Sequence, residues 1–155
     1  RLLDDIRTRA GLAYSVTSGF TAPKARGSFR VEMQTKTSSV REAVDRACAE
    51  IGRIRSAVVS DEELEDTKLY LTGSFPLQFD SNGEIAGFLS AVEFFGLGAN
   101  YADDYIARIR AVTRDDVLQA ARRHLRPDEL ILVVVGAVDP ALVGSSACPA
   151  AAAGS

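Results

Sequence analysis

At 155 residues, 46% of them hydrophobic and 25% charged, the chain has enough apolar material to bury a sizeable core without disulfides, which excludes a disordered tail. Its 18 basic and 21 acidic residues leave a net charge of −3, too small and too mixed to favour nucleic acid or an anionic membrane surface as a partner. The longest apolar run, residues 130–135, falls far short of the roughly twenty residues a bilayer requires, so no membrane span is expected.

Taken in order, Leu2, Leu3 and Ile6 supply an apolar helical stripe, Gly11 can close that helix in the left-handed conformation, and Ala13 onward alternates like a strand. Arg7 and Tyr14 therefore flank a helix-to-strand turn. A guanidinium with five fixed donors and a phenol with one can converge on a carbonyl oxygen, where donors help once that oxygen gains charge. Residues 21–27, TAPKARG, suit an exposed connection. Ser28 to Lys36 then alternates, with Phe29, Val31, Met33 and Thr35 on one side and Arg30, Glu32, Gln34 and Lys36 on the other, so a hairpin is predicted. Ser39 and Glu42 have capping-box spacing. Val40, Val44, Ala47, Cys48, Ile51 and Ile54 follow at helical intervals, predicting a helix that covers one face of the sheet.

Ser60 with Glu63 repeats the box ahead of Leu64, Leu71 and Phe75, and Pro76 predicts a kink near Gly73 and Ser74. Ser81 with Glu84 makes a third box, before a stripe of Ile85, Phe88, Leu89, Val92 and Phe95 expected to be core, and Gly96 and Gly98 stop the helix. Asn100 is a candidate cap for a helix that turns Tyr101, Tyr105, Ile106 and Ile109 inward. Thr113 and Asp116 start the last helix, carrying Val117, Leu118, Ala121 and Leu125 up to Pro127. Leu130–Val135 is a β-branched and leucine run that predicts an inner strand, ended by Gly136. From Val143 the composition becomes small-residue and low-complexity, predicting a flexible tail. The succession of helix end, two strands, several helices and a strand reads as α+β with helices on one face.

The charged clusters have structural explanations. Asp61, Glu62, Glu63, Glu65 and Asp66 lie at a helix start, Arg122, Arg123 and Arg126 near a helix end, and His124 among the latter, each where its sign complements the helix dipole. Cys48 falls on an apolar stripe and Cys148 in the tail, so no disulfide between them is expected and the compartment is left undetermined. One histidine, two scattered cysteines and surface carboxylates do not assemble a zinc site, so no cofactor and no catalysis are expected from this chain alone.

The segments DDIRTRAGLAYSV, EELEDTKLYLTGSFPLQFDS and IRAVTRDDVLQAARRHLRPDELILVVVG, in that order, resemble blocks of the C-terminal, non-catalytic half of the peptidase M16 family, which includes pitrilysin, insulin-degrading enzyme and mitochondrial processing peptidase. The resemblance implies a two-layer α/β sandwich of the LuxS/MPP-like metallohydrolase type with a mixed sheet. It further implies a zinc-dependent peptidase built from two similar halves. Zinc would sit on an inverted His-x-x-Glu-His helix of the partner half, in the same polypeptide or another, while Arg7 and Tyr14 hold the peptide substrate near the scissile bond. Residues 1–142 would then be a partial domain lacking its first strands and helix, and 143–155 a tail. On that reading Arg1 is not a native start, and a sheet edge and a helix face need cover from other polypeptide. The alternative is an inert scaffold of the same fold, as the core subunits of respiratory complexes resemble these peptidases without cutting; the presence of both Arg7 and Tyr14 favours the peptidase half.

Overall fold

The computed structural model describes residues 1–143 and 147–148. Two compact units divide them: Arg1–Ala57 with the described residues from Leu118 on, and Val58–Val117.

The first unit opens with a π-helical segment, Leu3–Arg9, followed by β1 (Ala13–Thr21) and β2 (Ser28–Thr35), which form a two-stranded antiparallel sheet. Helix α1 (Val40–Ser56) covers one face of this hairpin. It buries Ala43, Ala47 and Ile51, one side chain per turn along a single stripe. The small methyls of Ala43 and Ala47 let the helix approach Ala13, Val16 and the fully buried Ile6 closely, with Leu2, Leu12 and Met33 around them. One turn further, Ile51 meets Ala121 and Leu125 from the end of α5 (Arg114–His124), with Phe29, Val31, Ile54 and Leu130 packed on the cluster. The alternation read in β2 is the observed one: Phe29, Val31, Met33 and Thr35 are half-buried, and Arg30, Glu32 and Gln34 exposed.

The α+β class is thus present, with helix over one face of an antiparallel pair. The run Leu130–Val135 corrects one expectation. It alternates between half-buried and exposed, with Ile131 88% and Val135 95% exposed, but makes no ladder among the described residues. A β-branched run supplies the propensity for a strand; the strand itself requires a neighbour to pair its backbone.

A second correction concerns the cysteines. Cys48 on α1 and Cys148 form a disulfide across 100 residues of sequence. The expectation failed because the tail does not wander: after the short helix α6 (Pro140–Val143) begins, the Arg41 guanidinium donates to the Val143 carbonyl at 2.7 Å and draws the chain down onto α1. The Arg41 guanidinium also bonds Asp45 and holds its carboxyl below the usual carboxylate range. Of the predicted flexible tail, residues 144–146 and 149–155 lie outside the described residues.

The second unit holds α2 (Asp61–Ser74), a 3-10 turn at Phe75–Phe79, α3 (Asn82–Phe95), α4 (Tyr101–Ala111) and the first turn of α5. Two of the capping boxes close as spaced: Ser60 Oγ accepts from the Glu63 amide at 3.1 Å, and Ser81 Oγ from the Glu84 amide at 3.2 Å. Thr113 and Asp116 make the reciprocal form, Thr113 Oγ1 accepting the Asp116 amide while Asp116 accepts from the Thr113 amide and hydroxyl. The Asp116 carboxyl is accordingly held below its ordinary range, chiefly by the Thr113 hydroxyl. Ser39 and Asn100 make no side-chain cap; a 3-10 turn, Thr37–Ser39, leads into α1 instead.

Pro76 does not kink a continuing helix. Helix α2 ends at Ser74 and the proline sits at the start of the 3-10 turn, where its missing amide costs nothing. That turn places Phe75 in an aromatic cluster, stacked on Tyr105 at 4.1 Å between ring centroids and edge-on to Phe79 and Phe88. The expected stripe of α3 is core only in part: Phe88 and Val92 are half-buried, whereas Ile85, Leu89 and Phe95 are exposed.

Candidate functional site

Arg7 and Tyr14 are brought together on the first unit. The Arg7 guanidinium carbon lies 5.8 Å from the centre of the Tyr14 ring, within cation–π range, and both side chains are exposed, Tyr14 to 78%.

Three departures from regular backbone produce this convergence. Arg7 stands in the π-helical turn, a wider winding than the α-helix that occurs mostly in short stretches at functional places. Gly11 follows with φ of 64°, its amide donating to the Arg7 carbonyl and that of Leu12 to the Ile6 carbonyl, so the chain reverses immediately after the helix. The register of β1 on β2 then shifts between Ala13, opposite Thr35, and Ser15, opposite Gln34, leaving Tyr14 as the extra residue of a bulge. The buried residues of the strand are consequently Ala13 and Val16, three apart where regular alternation would place them two or four apart. A bulge re-aims the residue it releases, and here that residue carries the phenol.

Polar contacts tie this corner to β2 and α1. Thr35 Oγ1 donates to the Leu12 carbonyl at 2.6 Å, Arg9 pairs with Asp4 at 2.7 Å, and Arg46 of α1 spans Asp5 and Glu42 at 3.5 and 3.2 Å. Arg7 is exposed, has no carboxylate partner among the described residues and stands beside the Tyr14 ring. A shallow concavity of about 410 Å³ adjoins Tyr14, walled by residues 11–14 and by Gln34, Thr35 and Lys36. Lys36 and Gln34 are exposed rim residues that sequence reasoning did not connect with Tyr14; only the hairpin register places them there.

The remaining polar residues do not converge on a second centre. His124 is exposed as the last residue of α5, beside Arg122 and Arg123, as its dipole placement requires. Asp61 is paired with Arg114 at 2.8 Å and Asp104 with Arg108 at 3.1 Å. Among the described residues no group of three or more His, Cys, Asp or Glu side chains is placed to hold a metal ion, so the donors present do not fit zinc. None of the described helices is long and apolar enough to cross a membrane.

The profile of the peptidase M16 inactive domain matches residues 1–71, the stretch that contains the π-helical turn, the bulge and α1. Over that stretch this chain is similar to the peptidase M16 family. An uncharacterized zinc protease of Streptomyces coelicolor is 31% identical over 79% of the chain and 27% of its own length. A Helicobacter pylori protein described as a non-peptidase homolog is 26% identical over 87% of the chain and 31% of its own length. Among solved structures, a peptidase M16 inactive domain from Pseudomonas fluorescens superposes with a TM-score of 0.73 at 30% identity, covering 81% of this chain and 30% of that one. A protease from Helicobacter pylori, 15% identical, shares the fold with a TM-score of 0.65, covering 81% of this chain and 30% of that one. The chain thus spans less than a third of the length of the relatives it matches, and its likeness is to the inactive domain.

Proposed function

We propose that this chain is the substrate-holding, non-catalytic part of an M16-type zinc peptidase, in which Arg7 and Tyr14 grip the main chain of a bound peptide beside the bond to be cut. The observation that carries this reading is the exposed pairing of the two side chains at 5.8 Å, with Arg7 lacking a carboxylate partner among the described residues. An isolated surface arginine gains little from standing over a ring, whereas a guanidinium and a phenol held side by side present convergent donors to one carbonyl oxygen. The cation beside the ring also favours an oxygen that becomes negative during attack, so the pair binds the transition state more strongly than the ground state. Zinc and the activated water belong to an M16 domain bearing the His-x-x-Glu-His helix, and every role given to the present chain is one of binding and orientation.

The test is peptide hydrolysis by this chain assembled with such a domain. Arg7→Ala or Tyr14→Phe removes donors from exposed side chains, so the fold is retained while kcat falls about 10²-fold to 10³-fold, on the order of 3 kcal/mol. Unchanged hydrolysis in both variants would remove the pair from the mechanism. The relative described as a non-peptidase homolog supports a second reading, an inert assembly subunit of the same fold. The coding sequence adjoining this one separates the two: a His-x-x-Glu-His helix there supports the peptidase, and its absence from the whole assembly supports the scaffold.

A further inference from the structure

The concavity of about 410 Å³ beside Tyr14 carries chemistry that a grip on a main-chain carbonyl leaves unused. Leu12 and Ala13 give it an apolar lining, and Gly11 leaves it open: apart from the chain neighbours, no atom lies within 4 Å of where a Cβ on that glycine would stand. From the end of β2 come three polar side chains. The Thr35 hydroxyl is engaged by the Leu12 carbonyl at 2.6 Å, which leaves the Gln34 amide and the Lys36 ammonium, two residues apart and both exposed, for an incoming group. No carboxylate lines the concavity. The acids of the adjoining segments are engaged elsewhere, Asp4 with Arg9, Asp5 with Arg46 and Glu32 with Arg30, and Lys36 makes no ion pair among the described residues. An ammonium and an amide beside an apolar lining suit a side chain with a methylene stem and a carboxylate at its end, and repel one that ends in a cation.

We infer that this concavity, on the peptide-holding reading above, is a specificity subsite for an acidic side chain of the substrate, its carboxylate taken by Lys36 and Gln34 and its stem laid over Leu12 and Ala13. Tyr14 belongs to both places, its ring standing 5.8 Å from the Arg7 guanidinium and also lining the concavity. An extended peptide advances about 3.4 Å per residue, so the acidic residue lies within about two positions of the carbonyl held at Arg7 and Tyr14. Because Lys36 is exposed, the ion pair selects among substrates and adds little to affinity.

The test is hydrolysis by the chain assembled with a domain bearing the His-x-x-Glu-His helix, using peptides identical except for Glu, Gln or Lys placed in turn at each position near the cut. At one position kcat/KM is expected to be about threefold to fivefold higher for Glu than for Gln, and about tenfold higher than for Lys, with the preference shrinking in high salt. Lys36→Met is expected to level Glu and Gln at that position, and Lys36→Glu to reverse the order of Glu and Lys, with unchanged circular dichroism. Arg7→Ala lowers hydrolysis of all three peptides and keeps their order, so the two claims fail separately. A Glu preference absent from the parent, or unmoved by both Lys36 substitutions, overturns the subsite and leaves the Arg7 and Tyr14 pair standing; full activity of Arg7→Ala and Tyr14→Phe overturns the pair. Where the assembly cuts nothing, heteronuclear NMR titration of the chain with the Glu peptide decides. Shifts at residues 11–14 and 34–36 that weaken with the Gln peptide and vanish in Lys36→Glu support the subsite, and their absence overturns it.

Discussion

The two units are built on opposite principles. Among the described residues, all but two of the buried apolar ones, Val59 and Phe75, lie in the first unit, where α1 joins elements far apart in sequence: the π-helical turn, the hairpin, the end of α5 and, through Cys48, the tail. The second unit is a series of helices whose ends are defined locally by Ser60, Ser81 and the Thr113–Asp116 pair, packed around one aromatic cluster and leaving Leu69, Leu77, Leu89 and Phe94 exposed. The comparison teaches where rigidity is needed. The corner that presents Arg7 and Tyr14 rests on the unit with the interlocked core, while the capped helices keep their form with little burial of their own.

The contrast can be broken first at Ile6, which is completely buried under α1. Ile6→Ala is expected to lower stability by about 4 kcal/mol; denaturant unfolding followed by site-resolved amide exchange should show the loss in the first unit and little change at α2 and α3. Next comes the cross-link. Cys48→Ser opens a loop of 100 residues and should cost the first unit about 3 kcal/mol, read as a lowered denaturation midpoint that reducing agent reproduces in the parent chain but not in the variant. The second unit responds to smaller changes. Ser60→Ala removes the acceptor for the Glu63 amide and is expected to cost about 1 kcal/mol, seen as faster exchange in the first turn of α2 alone.

The smallest effect is a pH dependence at the start of α5. Asp116 is held below its ordinary value of 3.8 by Thr113, so the folded state binds its proton less readily than the unfolded chain does. Its stabilisation is therefore complete well above pH 3.8 and is lost as pH falls through the lowered value. Acid titration should loosen Arg114–Val117, and Asp116→Asn should remove that dependence.

Legibility in the sequence followed the range of the interaction. Capping boxes at Ser60 and Ser81, the alternation of β2 and the stripe of α1 act over a few residues, and the structure holds them as spaced. Arg7 and Tyr14 could be named from their block of sequence, but their approach depends on a register shift that only the pairing of Ser15 with Gln34 defines. Cys48 and Cys148 defeated local reasoning because a separation of 100 residues carries no statement of distance. Leu130–Val135 reads as a strand by composition, yet pairing belongs to two segments at once, and one of them is not its own sequence. Leu89 and Phe95 were assigned to the interior by helical spacing, which finds a helix's apolar side without saying whether anything meets it.

The turn and the bulge around Gly11 share one property: each holds a residue more than the regular element would. The aim of the phenol is therefore encoded in a count rather than in an identity. Deleting a single residue from the bulge would restore even alternation to β1, swing the ring at the site to the other side of the ribbon and leave the buried methyl groups able to repack. An arginine and a tyrosine grafted at the same interval onto an ideal helix and strand would look alike in sequence and fail to meet in space.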